Sequence, residues 1–101
     1  LAANTLIQCG GGMVVVQDGQ VLGLVPLPIA GLMSDKPVRE VSALVEQLEG
    51  AWREIGCTMV SPFMTMAGLS LACLPQLRLT DRGLVDCTSF RFVPLEAGDE
   101  A

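Results

Sequence analysis

The chain has 101 residues, 11 acidic and 6 basic side chains, and a formal net charge of −5. That length fits one domain with a modest core, and the acidic balance, together with the lack of tyrosine, disfavours nucleic-acid binding. Half of the residues are hydrophobic and the mean hydropathy is +0.52, so we expect surplus apolar surface to meet another domain or subunit.

Four cysteines are scattered along the chain without any Cys-x-x-Cys pair: Cys9, Cys57, Cys73 and Cys87. This spacing predicts buried free thiols in a reducing cytoplasm rather than a zinc site or a disulfide framework. The sequence also has no histidine, which is the commonest metal ligand and general base. We therefore assign no catalytic residue and no metal ligand within this chain.

The sequence carries no signal-peptide pattern. Because it begins with Leu1 inside a predicted helix, we expect it to be part of a longer polypeptide. The stretch between Glu54 and Arg78 has no charged residue and is long enough to raise the question of a membrane span. Glycines and prolines interrupt that stretch repeatedly, so we interpret it as buried core and expect no membrane partner.

The N-terminal part predicts a helix followed by a hairpin. Leu1–Cys9 has apolar residues at helical spacing, and three glycines at positions 10–12 are typical of a helix end. Met13–Gln17 and Gln20–Val25 are rich in β-branched residues, and Asp18-Gly19 between them predicts a type I′ turn. A phosphate-binding role for the glycines is not favoured, because they precede a strand and no Lys-Ser/Thr follows them.

An apolar connector, Leu24–Asp35, links the hairpin to the rest of the chain. Pro26 and Pro28 favour extended backbone, so this segment is predicted to be neither a helix nor a central strand. Its later apolar residues, such as Leu32 and Met33, should be covered by another surface.

An amphipathic helix follows the connector. Apolar residues recur at three- and four-residue steps from Val38 to Ile55, and the helix should end near Gly56. Ser34 and Asp35 are predicted to cap it. The glutamates along it are interpreted as a solvated face rather than as an acid/base site.

The C-terminal part has a less regular pattern. The apolar block Pro62–Leu74 fits either a strand or a short helix. Leu77–Thr80 and Ser89–Val93 alternate as strands do, and residues 81–83 are typical of a turn. The polar, acidic residues 96–101 predict a flexible tail.

Together these elements predict a single α+β domain over residues 1–95. Its sheet should be mostly antiparallel and contain both the N-terminal hairpin and the C-terminal strands. It should pack against one main amphipathic helix and a shorter N-terminal helix. Physical reading of the residues alone predicts no activity for such a module.

Four strings, in order along the chain, resemble the C-terminal domain of bacterial adenine deaminase. They are Gly-Gly-Met-Val-Val-Val with Asp-Gly at 11–19, Leu-Pro-Ile-Ala-Gly-Leu-Met-Ser-Asp at 27–35, Pro-Phe-Met-Thr at 62–65, and Leu-Arg-Leu-Thr-Asp-Arg-Gly-Leu-Val-Asp at 77–86. The correspondence extends from about Leu1 to Val93.

The resemblance implies a parent hydrolase of purine metabolism that converts adenine and water to hypoxanthine and ammonia. Its catalytic part is similar to the amidohydrolases, in which a (β/α)₈ barrel holds manganese or iron through histidines and an aspartate, and the metal activates water. None of those ligand positions carries over to this chain. The chain alone is therefore expected to be non-catalytic and to bind no cofactor.

In that parent, the upstream barrel is the expected partner, within a cytoplasmic homo-oligomer. The candidate loop near the barrel mouth or the domain interface comprises Gly31, Leu32, Met33, Ser34 and Asp35; the candidate docking surface comprises Pro62, Phe63 and Met64. Met33, Ser34 and Asp35 are expected to approach the adenine pocket, with the helix cap as the alternative role of the last two. The alternative function is a non-enzymatic interaction or dimerisation module.

Overall fold

A computed structural model describes residues 1–96 of the chain, which form three α-helices, a short 3₁₀ helix and five strands. The helices are α1 (Ala2–Cys9), α2 (Val38–Glu54) and α3 (Pro62–Ala67), and the 3₁₀ helix is Gly68–Ser70. The strands are β1 (Gly12–Gln17), β2 (Gln20–Pro26), β3 (Leu77–Thr80), β4 (Gly83–Asp86) and β5 (Arg91–Val93). No helix among the described residues is long and apolar enough to cross a membrane.

Two compact units divide the chain, an N-terminal unit of Leu1–Met59 and a C-terminal unit that begins at Val60. The predicted α+β class is confirmed, but the hairpin and the C-terminal strands do not share one sheet as expected: they form two separate antiparallel sheets, β1-β2 and β3-β4-β5. A single domain over residues 1–95 stays a prediction. Of the predicted flexible tail, residues 97–101 lie outside the described part of the chain.

The hairpin of the N-terminal unit follows the sequence pattern closely. Asp18 and Gly19 both have positive φ, 50° and 76°, as a type I′ turn requires. The register pairs Met13 with Val25 and Val15 with Gly23. Because paired residues lie on the same face, these four residues share the face of the hairpin that contributes to the core.

Helix α2 covers that face. The buried core of the unit comprises Val15, Val25, Leu48, Ala51 and Trp52. Gly23 is the point of closest approach, since a Cβ atom there would lie 3.1 Å from the Cα of Leu48 and 3.2 Å from the Cβ of Ala51. The missing side chain therefore lets the helix pack directly on the backbone of β2.

Two predictions for the connector are wrong. Leu24–Pro26 belongs to β2, where Val25 is fully buried, so the connector begins only at Leu27. Helix α2 starts after Pro37, whose carbonyl oxygen accepts hydrogen bonds from the N–H groups of Glu40 and Val41, and no side chain caps it. Ser34 lies too far upstream and instead accepts a hydrogen bond from the N–H of Lys36 at 3.0 Å.

The first nine residues of the ambiguous apolar block, 62–70, are helical. Pro62 occupies the first turn of α3, where its missing N–H is not needed. The predicted strand Ser89–Val93 is shorter than expected, because Ser89 belongs to a turn and β5 begins at Arg91. Strand β4 is an additional strand in the middle of the sheet.

Candidate functional site

The candidate loop contains a tight turn at Ile29–Met33. The N–H groups of Leu32 and Met33 both donate to the carbonyl oxygen of Ile29 at 3.1 Å, and the Ile29 N–H donates to the Met33 carbonyl at 3.1 Å. The two residues at the tip, Ala30 and Gly31, have φ of 56° and 73°. Since a left-handed φ is unfavourable for alanine, the turn is a locally strained conformation that its surroundings must maintain.

Glycine-to-glycine packing holds the turn in place. A Cβ on Gly11 would lie 2.6 Å from the Cα of Gly31, so only glycine fits at position 11. The N–H of Leu27 also donates to the Gly11 carbonyl oxygen at 2.9 Å. Gly10 ends α1 as predicted, with φ 82°. The glycine triplet thus has a second role that sequence reasoning missed, and glycine at both positions 11 and 31 was the available signal for a close backbone approach.

The turn presents apolar side chains. Leu32 is 79% exposed, Met33 60% and Ile29 44% in this chain. Three neighbouring apolar side chains on a fixed backbone form the kind of surface that protein contacts use. The prediction that this segment is covered by another surface remains a prediction about the longer polypeptide.

The polar end of the loop, Ser34 and Asp35, makes few contacts in the described part of this chain. Ser34 is half-buried in its local turn, whereas Asp35 is exposed. Within residues 1–96, no hydrogen bond or ion pair engages the Asp35 carboxylate, and the nearby Lys36 ammonium lies 3.9 Å from Glu40. Asp35 is therefore a carboxylate without a capping role.

The second candidate surface lies on α3, in the C-terminal unit. Pro62 is buried, Phe63 is half-buried and Met64 is 75% exposed. Of these three residues, Met64 therefore offers most of the apolar area for docking.

The donor groups do not form a metal centre. Among residues 1–96, no group of three or more His, Cys, Asp or Glu side chains is placed to hold a metal ion. All four thiols are free, as predicted, but Cys73 is exposed and only Cys87 is buried. The Cys87 thiol donates to the Ala72 carbonyl oxygen at 2.9 Å, which is a structural contact. Residues 1–96 therefore offer no site for the manganese or iron that the resemblance assigns to the upstream barrel.

Asp86 is a further carboxylate with a structural role. Its Oδ2 accepts a hydrogen bond from the Ser89 hydroxyl at 2.7 Å, and its Oδ1 accepts one from the Thr88 N–H at 2.9 Å. The pKa of Asp86 lies below its ordinary value because these hydrogen bonds stabilise the ionised form. The Ser89 hydroxyl has the largest effect, and the Thr88 N–H has the next largest.

Comparison with known proteins finds relatives that carry the same name. An adenine deaminase of Clostridium botulinum (strain ATCC 19397 / Type A) is 74% identical over 95 residues, which cover 94% of this chain and 16% of that protein. An adenine deaminase of Moorella thermoacetica is 65% identical over 98 residues, covering 97% of this chain and 16% of that protein. An adenine deaminase 2 of Carboxydothermus hydrogenoformans is 52% identical over 95 residues, covering 93% of this chain and 17% of that protein.

The chain thus spans about one sixth of the length of the relatives it matches. The family model described as the adenine deaminase C-terminal domain matches residues 1–91. That match covers nine-tenths of the chain, and the fold described above has the α+β class that the resemblance led us to expect. The chain belongs to the adenine deaminase C-terminal domain family.

Proposed function

We propose that the intact polypeptide is a cytoplasmic adenine deaminase, a hydrolase that converts adenine and water to hypoxanthine and ammonia, and that this chain is a non-catalytic part of it. The observation that carries the proposal is the family match over residues 1–91, with relatives named adenine deaminase up to 74% identical. An independent dimerisation module is the weaker alternative, because it leaves that match unexplained.

The metal of the proposed enzyme is manganese or iron, and we assign it to residues outside this chain. The sequence has no histidine, and the described carboxylates and thiols do not converge on one point. We accordingly propose that this chain packs on the catalytic part and shapes the access to its active site.

The Ile29–Met33 turn is the proposed contact with the upstream catalytic barrel. Its backbone is fixed by internal hydrogen bonds and by the Gly11–Gly31 contact, so little conformational freedom remains to be lost on docking. Its three apolar side chains are exposed in this chain and gain free energy when they leave water. Met64 on α3 is proposed as a second docking residue, and the exposed apolar side chains of both units are compatible with a homo-oligomer.

Asp35 is the residue proposed to approach the adenine pocket. It lies two residues after the apolar turn and is exposed, and its carboxylate is not used to cap α2. A carboxylate at that place would accept a hydrogen bond from an N–H group of a purine. Met33 and Ser34 would line the same entrance.

The test is an adenine deamination assay on the full-length protein, with ammonia release as the readout and metal supplied. Wild type should release ammonia from adenine, and the same assay on residues 1–101 alone should give none. Asp35→Asn in the full-length protein should raise KM by several-fold without changing thermal stability, since the substitution removes no cap.

Asp18→Asn is the matched control. It makes the same charge change in the hairpin turn, where asparagine also tolerates the positive φ, and should leave KM unchanged. Deamination by the short chain, or none by the full-length protein, would refute the proposed function. Equal KM values for wild type and Asp35→Asn would remove Asp35 from the pocket.

A further inference from the structure

One face of the three-stranded sheet of the C-terminal unit carries four apolar residues beside one charged pair, because Asp86 pairs with Leu77 and Arg91 pairs with Asp86. Residues paired across an antiparallel sheet lie on the same face, and the register pairs Leu79 with Leu84 and Leu84 with Val93. Leu77 lies two residues from Leu79 and therefore on the same side. We call the four residues Leu77, Leu79, Leu84 and Val93 the leucine face.

The leucine face is open to solvent at β3. Leu79 is 68% exposed and Leu77 is 51% exposed, while Leu84 and Val93 are half-buried. The solvated face of an antiparallel sheet normally carries polar side chains at such positions. Exposed leucines at both outward positions of β3 therefore indicate a face that is built for contact.

The other side of β3 is closed by the unit itself. Arg78 and Thr80 point to that side and are half-buried. The Arg78 guanidinium donates to the Pro75 carbonyl oxygen at 2.7 Å, and the Thr80 hydroxyl donates to the Gly83 carbonyl oxygen at 2.8 Å. Strand β3 thus has one side held by hydrogen bonds within its own unit and one side on which Leu77 and Leu79 are exposed.

We propose that the leucine face docks on the upstream part of the same polypeptide. The proposal rests on the proposed function, in which this chain is joined to a larger catalytic part. Matched relatives are about six times longer than this chain, so most of such a polypeptide lies outside it. A covalently tethered partner is present at high effective concentration, which makes a small apolar contact sufficient.

Area and charge argue against a second copy as the occupant. Four partly buried apolar side chains offer on the order of a few hundred Å², well below the roughly 800 Å² per partner that a stable complex between free proteins buries. A second copy would also bring another net charge of −5 to the contact. The upstream part is tethered to this chain, so dilution does not weaken its contact with the leucine face. That contact also does not require the face to be complementary to itself, as a contact between two copies does.

The test measures the thiol reactivity of Leu79→Cys in the full-length protein. A small alkylating reagent and peptide mass spectrometry report the rate at position 79 separately from the native cysteines. Leu95→Cys is the matched control, because Leu95 is 73% exposed in this chain and lies outside the leucine face. The thiol introduced at position 79 should react at least about tenfold more slowly than the thiol introduced at position 95 in the native protein, and equally fast in denaturant.

Equal native rates at positions 79 and 95 would overturn the proposal. Protection of the position-79 thiol that disappears on dilution would assign the face to a second copy and would also overturn it. Thermal unfolding checks that both variants fold: the midpoint should be unchanged for Leu95→Cys and only modestly lowered for Leu79→Cys, whose side chain is covered in the docked protein. Adenine deamination measured on the same samples separates the two proposals: protection without deamination retains the docking and refutes the enzyme function.

Discussion

The two units of this chain differ strongly in the number of residues that they bury. In the N-terminal unit, residues from both strands of a hairpin and from one helix are buried together, including Val25 and Leu48 at 0% exposure. Among residues 60–96, Pro62 and Cys87 are the buried residues. Both units contain an antiparallel sheet, so the presence of a sheet does not explain the difference.

Helix length explains it. Helix α2 has 17 residues and α3 has 6, which corresponds to roughly 26 Å and 9 Å at about 1.5 Å per residue. The long amphipathic helix covers a two-stranded hairpin along its length, whereas the short one is too small to cover a three-stranded sheet. The first unit therefore has a core of its own, and the second depends on turns and local hydrogen bonds.

The largest expected effect tests whether the cores differ as described. Leu48→Ala should lower the free energy of unfolding by roughly 2–5 kcal/mol, because it leaves a cavity at a fully buried position. Leu79→Ala, the same substitution at a 68% exposed site of the C-terminal unit, should change it by about 0.5 kcal/mol or less in residues 1–101 alone. Urea unfolding followed by far-UV circular dichroism measures both. Similar losses for the two variants would show that the C-terminal unit has a core as well.

The second prediction sharpens the account of how α2 packs on the hairpin. Gly23→Ala should destabilise the chain by roughly 1–3 kcal/mol, because the added Cβ would lie 3.1 Å from the Leu48 backbone. Gly50→Ala should stabilise it by about 0.5–1 kcal/mol, since a Cβ at this position within α2 meets no atom within 4 Å. The same urea titration gives both values, and equal signs would contradict the close helix–strand contact.

The N-terminal unit was largely predictable from the sequence because its signals are local. The Asp18-Gly19 pair specifies the turn by itself, and the apolar spacing from Val38 to Ile55 specifies one face of a helix. Both elements appear within one residue of their predicted bounds. The capping prediction at Ser34 failed because capping needs the residue directly before the helix, and Pro37 occupies that place.

The candidate loop was less predictable because its conformation depends on a distant contact. No local rule places Ala30 at a positive φ, and the backbone of Gly31 packs on Gly11, twenty residues earlier. The resemblance identified residues 31–35 as candidates without their geometry. In the C-terminal unit, the uncharged block after Pro62 has no clear period, so its helix could not be assigned from pattern alone. Strand β4 has only four residues, with Leu84 and Val85 adjacent, so it lacks the alternation that identifies a strand.

The smallest expected effect concerns the turn that Asp86 holds in the C-terminal unit. Because hydrogen bonds lower the folded-state pKa of Asp86, the turn's contribution to stability is complete above the ordinary pKa of about 4 and is lost as the pH falls through the lowered value. Ser89→Ala removes the largest cause and should move the pKa back towards its ordinary value, as followed by NMR titration of the Asp86 carboxyl carbon. Ser70→Ala is the matched control, since the Ser70 hydroxyl donates to the Ala67 carbonyl and not to Asp86. An identical Asp86 titration in wild type and Ser89→Ala would show that the backbone N–H groups of Thr88 and Ser89 stabilise the carboxylate without the hydroxyl, and that the side-chain hydrogen bond is not part of what holds this unit together.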